Sequence, residues 1–325
     1  MSRTARTLAA LLALVAACGL AAWGWSQRGG GDGATATAGS RSAPPALQAY
    51  NGPPEAEVVA RRPLDVALAA TEDVVHVRFR RPPRAGLLFD LDTGEVLWRR
   101  EPERVLPIAS LTKMMTALVV VDRADPDEKV KVTRQALAYE GSGIGLLPKG
   151  RRVPLETLLA GLLVVSGNDA AIALAQHVSG TMRRFVAEMN ARAQRMGLAC
   201  TRFARPDGLQ DEGNHSCAAD LAALARAVLD EPRLARIVRR RQVVLPFPIK
   251  GGKLWLTSHN PLILSGYRGV TGIKTGYTRK AGRCLVASAT RRGVRLGVVL
   301  LHSPDPGAQA RRLLDRGFAA MAARR

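Results

Sequence analysis

Hydrophobic and polar positions divide the region from residue 84 onward into strands, then helices, then strands again. The apolar runs at residues 87–91 and 95–98 flank Asp92-Thr93-Gly94, which predicts a β-hairpin with the turn glycine at positive φ. Helical spacing of apolar residues follows, and it predicts helices at residues 155–165, 170–176, 185–196 and 221–229.

Strand-type alternation returns after Gly266. It predicts strands at residues 270–275, 284–289 and 295–301, and a closing amphipathic helix at residues 308–321. This order predicts an α+β fold. We expect an antiparallel sheet flanked by helices, with an all-helical lobe, in which the two ends of the domain meet.

The amino terminus predicts a membrane-directed segment at residues 1–25. Arg3 and Arg6 precede an uncharged, mostly apolar run of residues 8–25, long enough to cross a bilayer core. We interpret it as a signal anchor, and the alternative is a signal peptide processed near Cys18, as in bacterial lipoproteins. Either places the rest of the chain outside the cytoplasm, membrane-anchored or secreted.

The region from residue 26 to residue 83 predicts a connection rather than a domain. Residues 26–56 are rich in Gly, Ala, Ser, Thr and Pro, so we expect a disordered tether there. The boundary between the tether and the folded domain lies within residues 57–83, where the pattern is ambiguous. The folded domain is predicted at residues 84–325.

The chain is strongly basic, with 48 Lys and Arg against 27 Asp and Glu, a formal net charge of +21. Such a balance is compatible with binding nucleic acid. A location outside the membrane leaves little nucleic acid to bind, so we expect the basic surface to face anionic lipid headgroups or cell wall. A nucleic-acid-binding module remains an alternative only if the domain is cytoplasmic.

No cofactor or metal site is predicted. No cysteine pair has the spacing of a metal site and the five histidines form no metal motif. Cys200 and Cys217, 17 residues apart in a loop-rich region, are a candidate disulfide in an oxidising compartment, and Cys284 is expected to be a buried apolar residue. The glycine-rich stretch at residues 141–145 lacks the pattern of a nucleotide-binding loop. We expect it to be a surface loop at the edge of the candidate active site.

Ser110 and Lys113 are the candidate reactive pair. They lie three residues apart where an apolar helix begins, which predicts that both face the same side. An amine there can accept the proton of the hydroxyl if burial or a neighbouring cation lowers its pKa. Taken alone, the pair is better explained by a helix cap followed by a surface lysine.

Two further motifs follow in order and change this interpretation. Ser110-Leu111-Thr112-Lys113 is followed by Ser166-Gly167-Asn168 and then by Lys274-Thr275-Gly276. With this ordered set, the chain resembles the serine D-alanyl-D-alanine carboxypeptidases, the low-molecular-mass penicillin-binding proteins. The resemblance covers roughly residues 84–318. It implies the penicillin-binding protein and β-lactamase-like transpeptidase fold.

The resemblance also implies catalytic roles. Ser110 would attack the carbonyl of the penultimate D-alanine and hold the peptide as an acyl ester. Lys113 would accept the proton of Ser110, and Ser166 would relay a proton toward the leaving amine.

Substrate-binding roles follow in the same way. Asn168 would hydrogen-bond Lys113 and the substrate backbone, while Lys274 and Thr275 would hold the terminal carboxylate of the substrate. Gly276 would keep its strand clear for a peptide lying alongside. The backbone N–H groups of Ser110 and Tyr277 would form the oxyanion hole.

The function implied is a serine peptidase that trims D-alanine from peptidoglycan stem peptides and is inhibited covalently by β-lactams. A D,D-endopeptidase acting on crosslinks is an alternative, since the same site serves both reactions. A class A β-lactamase is another, although the E-x-x-L-N motif that usually carries its deacylating carboxylate is absent between Ser166 and Lys274. The alternative that is not an enzyme is a catalytically silent wall-binding protein.

Overall fold

The computed structural model of the chain describes residues 64–68, 72–209 and 212–324. The predicted signal segment at residues 1–25 and the tether at residues 26–56 lie outside the described residues. Within the described part, none of the helices combines the length and apolar character needed to cross a bilayer.

The strands are β1 Ala85–Asp90, β2 Val96–Arg100, β3 Leu106–Pro107, β4 Lys129–Lys131, β5 Arg152–Pro154, β6 His215–Ser216, β7 Gln242–Pro246, β8 Lys253–Thr257, β9 Val270–Thr278, β10 Gly282–Arg291 and β11 Val294–Leu301. The helices are α1 Lys113–Arg123, α2 Arg134–Leu137, α3 Leu155–Val164, α4 Asn168–Ser179, α5 Met182–Arg195, α6 Ala218–Asp230, α7 Pro232–Val238, α8 Pro261–Leu264 and α9 Pro306–Ala323. A short 3-10 helix, Ala109–Thr112, precedes α1.

The domain is built on a five-stranded antiparallel sheet with the order β2-β1-β11-β10-β9. The first and last parts of the domain meet in it, because β1 pairs with β11 with Leu88 opposite Val298. The strand β9, which carries Lys274-Thr275-Gly276, lies at the edge of this sheet. The order therefore leaves one edge of β9 without a neighbouring strand in this sheet.

Alternate residues of the central strands pack on opposite faces of the sheet, as the two-residue period of a strand requires. Leu88 of β1 and Val298 of β11 belong to the core under α9, together with Leu313 and Leu314 of that helix. Leu87 and Phe89 of β1, by contrast, belong to the core shared with the helical lobe. Both faces are thus covered, which explains the nearly continuous apolar composition of these strands.

The helix α1 is the centre of the helical lobe. Every residue from Lys113 to Val120 is buried, and α1 contacts α3, α4, α5 and α6. A helix buried on all sides is expected when its sequence is apolar all round. The N-terminal end of this central helix therefore brings Lys113 into the interior of the domain.

The observed architecture confirms the predicted fold class, an antiparallel sheet flanked by helices with an all-helical lobe. The predicted strands and helices are present, most of them a few residues longer than the patterns indicated. The hairpin of β7 and β8 was not predicted from the sequence.

Residues that precede β1 contact the domain, in the region where the sequence left the boundary ambiguous. Val75 is buried and its N–H donates to the carbonyl of Leu97 (2.8 Å). Asp73 forms an ion pair with Arg99 (2.8 Å). These contacts are made by backbone groups and isolated side chains, which leave no periodic hydrophobic pattern in the sequence.

The predicted pair Cys200 and Cys217 is joined by a disulfide in the structure, with the two Cα atoms 5.6 Å apart. Cys217 is the residue before α6, and the carboxylate of Asp220 in the first turn of α6 accepts a hydrogen bond from the Cys200 N–H (2.8 Å). Cys284 is buried in β10, as expected.

Gly297 offers a test of the packing between β11 and the lobe. A Cβ atom at this position would overlap the ring of Phe89. We expect Gly297→Ala to lower the free energy of unfolding by about 1–3 kcal/mol, measured by urea titration. Phe89→Leu removes the ring, so the double variant should be less destabilised than the sum of the single variants. Strict additivity would contradict this explanation.

Candidate active site

Ser110 lies in a strained turn rather than at the first residue of an α-helix. Ala109 has φ +50°, a conformation that is uncommon for a residue with a side chain. Ser110 then lies in the 3-10 helix, and α1 begins only at Lys113. The prediction that both side chains share one face is confirmed, since Lys113 Nζ donates to Ser110 Oγ at 2.9 Å.

The Lys113 ammonium is completely buried and has three oxygen acceptors. Besides Ser110 Oγ, they are Asn168 Oδ1 (2.6 Å) and the backbone carbonyl of Asp207 (2.7 Å). An ammonium has three N–H donors, so each has a partner. This network joins the first two motifs directly.

Burial lowers the pKa of Lys113 from its ordinary value of 10.5 to about 7, although the nearby carboxylates of Asp207 and Asp169 oppose the shift. Lys274 is 2% exposed. Its pKa is also lowered, first by burial and second by the positive charge of Lys113. Each amine therefore releases its proton more readily than a lysine in water.

The Asp207 carbonyl is positioned by an ion pair within its own loop. Arg205 donates to both carboxylate oxygens of Asp207, Nε to Oδ1 at 3.0 Å and Nη2 to Oδ2 at 2.7 Å. Burial raises the pKa of Asp207, but the hydrogen bonds from Arg205 and from the Leu209 N–H outweigh it, so the net shift is downward. Gly208, at φ +71°, lets this loop pass against the Ala109 carbonyl, where a Cβ atom would overlap it.

The second motif occupies the break between α3 and α4. Ser166 has φ +62°, and its Oγ is buried without a hydrogen-bond partner among the described residues. Asn168 is the first residue of α4, and its side chain bridges two chain segments. Its Oδ1 accepts from Lys113, and its Nδ2 donates to the carbonyl of Glu140 (2.6 Å).

The loop at residues 141–145 is attached to the start of α4 by Asp169. The Asp169 carboxylate is fully buried and accepts from the N–H groups of Ile144 (2.9 Å), Gly145 (3.0 Å) and Ala170 (2.7 Å). The carbonyl of Ser142 accepts from the Asn168 N–H (2.7 Å). The predicted surface loop is thus connected to the second motif by hydrogen bonds.

The third motif lies on the edge strand β9, beside the Ser110 turn. A Cβ atom at Gly276 would lie 2.9 Å from the Ile108 carbonyl oxygen and 3.3 Å from the Ser110 nitrogen. Gly276 therefore makes room for the backbone of the Ser110 turn, and it also lines the cleft. Lys274 Nζ donates to the Thr275 carbonyl (2.8 Å), and Tyr277 is 67% exposed.

The three motifs meet in one cleft of about 440 Å³. The predicted residues that line it are Ser110, Ser166, Thr275, Gly276 and Tyr277. The other three, Lys113, Asn168 and Lys274, are buried residues that do not line it. The structure therefore brings residues of all three motifs together at one opening.

One group of side chains in the described part of the chain has metal-ligating chemistry, formed by Cys200, Cys217 and Asp220. The two sulfur atoms are joined in the disulfide. A disulfide sulfur does not serve as a thiolate ligand. This group is therefore explained by the disulfide and by the hydrogen bonds of Asp220.

Comparison with protein families decides the membership of the chain. Residues 82–305 match the D-alanyl-D-alanine carboxypeptidase family. The chain belongs to this family. Among curated relatives, the D-alanyl-D-alanine carboxypeptidase DacF of Bacillus subtilis is 35% identical over 72% of this chain, and DacB2 of Mycobacterium tuberculosis is 36% identical over 73%. The matched region spans 62% of the length of DacF and 83% of the length of DacB2.

Solved structures agree with the family assignment. A D-alanyl-D-alanine carboxypeptidase of Mycobacterium tuberculosis is similar with a TM-score of 0.69 and 33% identity, over 75% of this chain and 94% of that one. A variant of the Streptomyces K15 DD-transpeptidase is similar with a TM-score of 0.70 and 28% identity, over 74% and 100%. The penicillin-binding fold expected from the resemblance is thereby confirmed.

Several residues at the site were not predicted from the sequence. Asp207 acts through its backbone carbonyl, and Arg205 acts on Asp207, so neither has the signature of a reactive side chain. His259 and Arg283 line the cleft from other parts of the chain, beside Ser142 of the loop that was predicted at its edge. The stretch Arg205-Pro206-Asp207-Gly208 was the available signal, because proline, aspartate and glycine in succession indicate a turn.

Asp169 provides a test of how the loop at residues 141–145 is held. Asp169→Ala leaves three N–H groups without their acceptor, so we expect the free energy of unfolding to fall by at least about 2 kcal/mol and proteolysis in this loop to accelerate. Asp169→Asn should be intermediate, because its Nδ2 would face an N–H donor. Asp127→Ala, at an exposed position, is the control. Unchanged stability and proteolysis in Asp169→Ala would refute the assigned role.

Proposed function

We propose that this protein is a serine-type D-alanyl-D-alanine carboxypeptidase that acts on peptidoglycan stem peptides through an acyl-serine intermediate. The observation that carries the proposal is the 2.9 Å hydrogen bond between Lys113 Nζ and Ser110 Oγ, made by a buried amine with a pKa of about 7. A neutral amine at this distance is in position to take the proton of the hydroxyl as it attacks.

The reaction follows from these positions. Ser110 Oγ attacks the carbonyl of the penultimate D-alanine while its proton passes to Lys113 Nζ, and the tetrahedral intermediate collapses to an acyl ester. The leaving amine of the terminal D-alanine receives a proton through Ser166, which lines the same cleft as Ser110. Water then hydrolyses the ester by the reverse proton transfers.

The oxyanion is assigned to the backbone N–H groups of Ser110 and Tyr277. The close approach of Gly276 to the Ser110 nitrogen supports this assignment, because it brings the Ser110 turn beside the part of β9 that continues into Tyr277. Asn168 keeps Lys113 oriented through the 2.6 Å hydrogen bond. Of the third motif, Thr275 lines the cleft and is assigned to the terminal carboxylate.

The names of the relatives support the substrate class. Two curated relatives are named D-alanyl-D-alanine carboxypeptidases, and a structural neighbour from Haemophilus influenzae is named penicillin binding protein 5. We therefore propose peptidoglycan stem peptides as substrates and β-lactam antibiotics as covalent inhibitors, with no cofactor. The site acts outside the cytoplasm, and we propose that the amino-terminal segment holds it at the membrane.

Release of D-alanine from a synthetic D-alanyl-D-alanine peptide is the direct test. Wild-type protein should release D-alanine and should be labelled by a fluorescent penicillin, whereas Ser110→Ala should lose both because no acyl ester can form. Ser179→Ala, at a serine outside the cleft, is the matched control. Labelling of Ser110→Ala, or rapid turnover of penicillin by the wild type, would refute the assignment, and the second result would favour a β-lactamase.

The proton acceptor predicts a pH dependence. Burial lowers the pKa of Lys113 to about 7, so the neutral form is lost as the pH falls through this value. We expect kcat/KM for an N-acetylated peptide to be nearly constant above pH 7 and to fall about tenfold per pH unit well below it. Stopped assays between pH 5 and pH 9 measure this profile. A flat profile, or a midpoint near 10, would exclude Lys113 as the base.

A further inference from the structure

The cleft contains one permanent positive charge, and it does not come from the three motifs. Among the described residues that line the cleft, Arg283 is the only arginine or lysine. Lys113 and Lys274 are 0% and 2% exposed, and burial lowers the pKa of both. Neither amine lines the cleft, so neither is positioned to contact directly a carboxylate that enters it.

Arg283 is held at this position by two contacts. It lies on β10 directly opposite Tyr277 of β9. Its Nη1 donates to the Pro304 carbonyl (3.0 Å), and its own carbonyl accepts from the Ser303 N–H (2.8 Å). These contacts fix the guanidinium against the connection between β11 and α9, whose residues 305–307 also line the cleft.

The guanidinium of Arg283 is not part of a salt bridge in the described part of the chain. No carboxylate there forms an ion pair with it. Asp305 lines the same cleft, but its Oδ1 accepts from the Ala308 N–H (3.0 Å) as the cap of α9. A guanidinium has five N–H donors, and the bond to Pro304 uses one of them.

We propose that Arg283 recognises the free α-carboxylate of the residue that leaves, the terminal D-alanine. The contact is a two-point, charge-assisted hydrogen bond from the guanidinium, made beside the hydroxyl of Thr275. This inference deepens the proposed function and rests on it. Arg283 makes the enzyme prefer a leaving residue with a free carboxylate over the same residue with an amide.

Two peptides separate this role from others. One is an N-acetylated stem-peptide analogue that ends in D-alanyl-D-alanine, and the other is its carboxyl-terminal amide. Release of D-alanine or D-alaninamide is followed by mass spectrometry with the full chain. In wild type, kcat/KM should favour the free acid. Arg283→Gln should lower kcat/KM for the acid by roughly ten- to a hundredfold and leave the amide nearly unchanged.

Two further variants make the test specific. Arg283→Lys should be intermediate, because a lysine keeps the charge but not the forked pair of donors. Arg279→Gln, at an exposed position in the adjacent turn that does not line the cleft, should retain the wild-type preference. Thermal unfolding confirms that each variant is folded. If Arg283→Gln does not fold, Arg283→Lys carries the test, and an unchanged acid-to-amide ratio in it overturns the proposal.

The outcomes distinguish the two claims. Wild-type protein that releases nothing from either peptide and takes no penicillin label refutes the proposed function. Wild-type protein that cleaves both peptides equally, or an Arg283→Gln variant that keeps the acid-to-amide ratio, overturns only the role of Arg283. An equal loss on both peptides assigns Arg283 a structural role and also overturns it.

Discussion

The burial of one ammonium among three oxygen acceptors is the constraint on which the site depends. Lys113 begins the central helix of the lobe, so the apolar packing of α1 carries its charge into the interior. A buried amine without partners would be costly. The acceptors Ser110, Asn168 and Asp207 meet this need from three regions of the chain, and in doing so they bring the hydroxyl to the amine.

Each acceptor lies next to a residue with an unusual backbone conformation or a close backbone approach. Ala109 and Ser166 adopt positive φ without being glycine, which costs on the order of 1–3 kcal/mol each. Gly208 and Gly276 allow backbones to approach more closely than a side chain would permit. These features concentrate within one cleft, and the well-packed sheet and lobe around it supply the stability that sustains them.

The sequence predicted the parts of the fold that follow from simple periodic patterns. The helices at α3 and α6 and the strands β9 to β11 are long and apolar, and the ordered motifs indicated the family. The hairpin of β7 and β8 was not predicted, because its exposed pair Val244 and Trp255 interrupts the alternation of apolar and polar residues. The contribution of Asp207 was not predictable either, since a carbonyl oxygen is present at every residue and only the fold selects one. The close approach of Gly276 to the Ile108 carbonyl was not predictable, because the two residues are far apart along the chain.

The partners of Lys113 have a consequence for the order of folding. They lie 3, 55 and 94 residues away along the chain, and Gly276 follows Ile108 by 276 − 108 = 168 residues. Contacts between such distant segments close large loops and form late. A nascent chain made from its amino terminus therefore carries Ser110 as an ordinary alcohol at least until the loop of Asp207 has been made, because that loop supplies the most distant partner of Lys113.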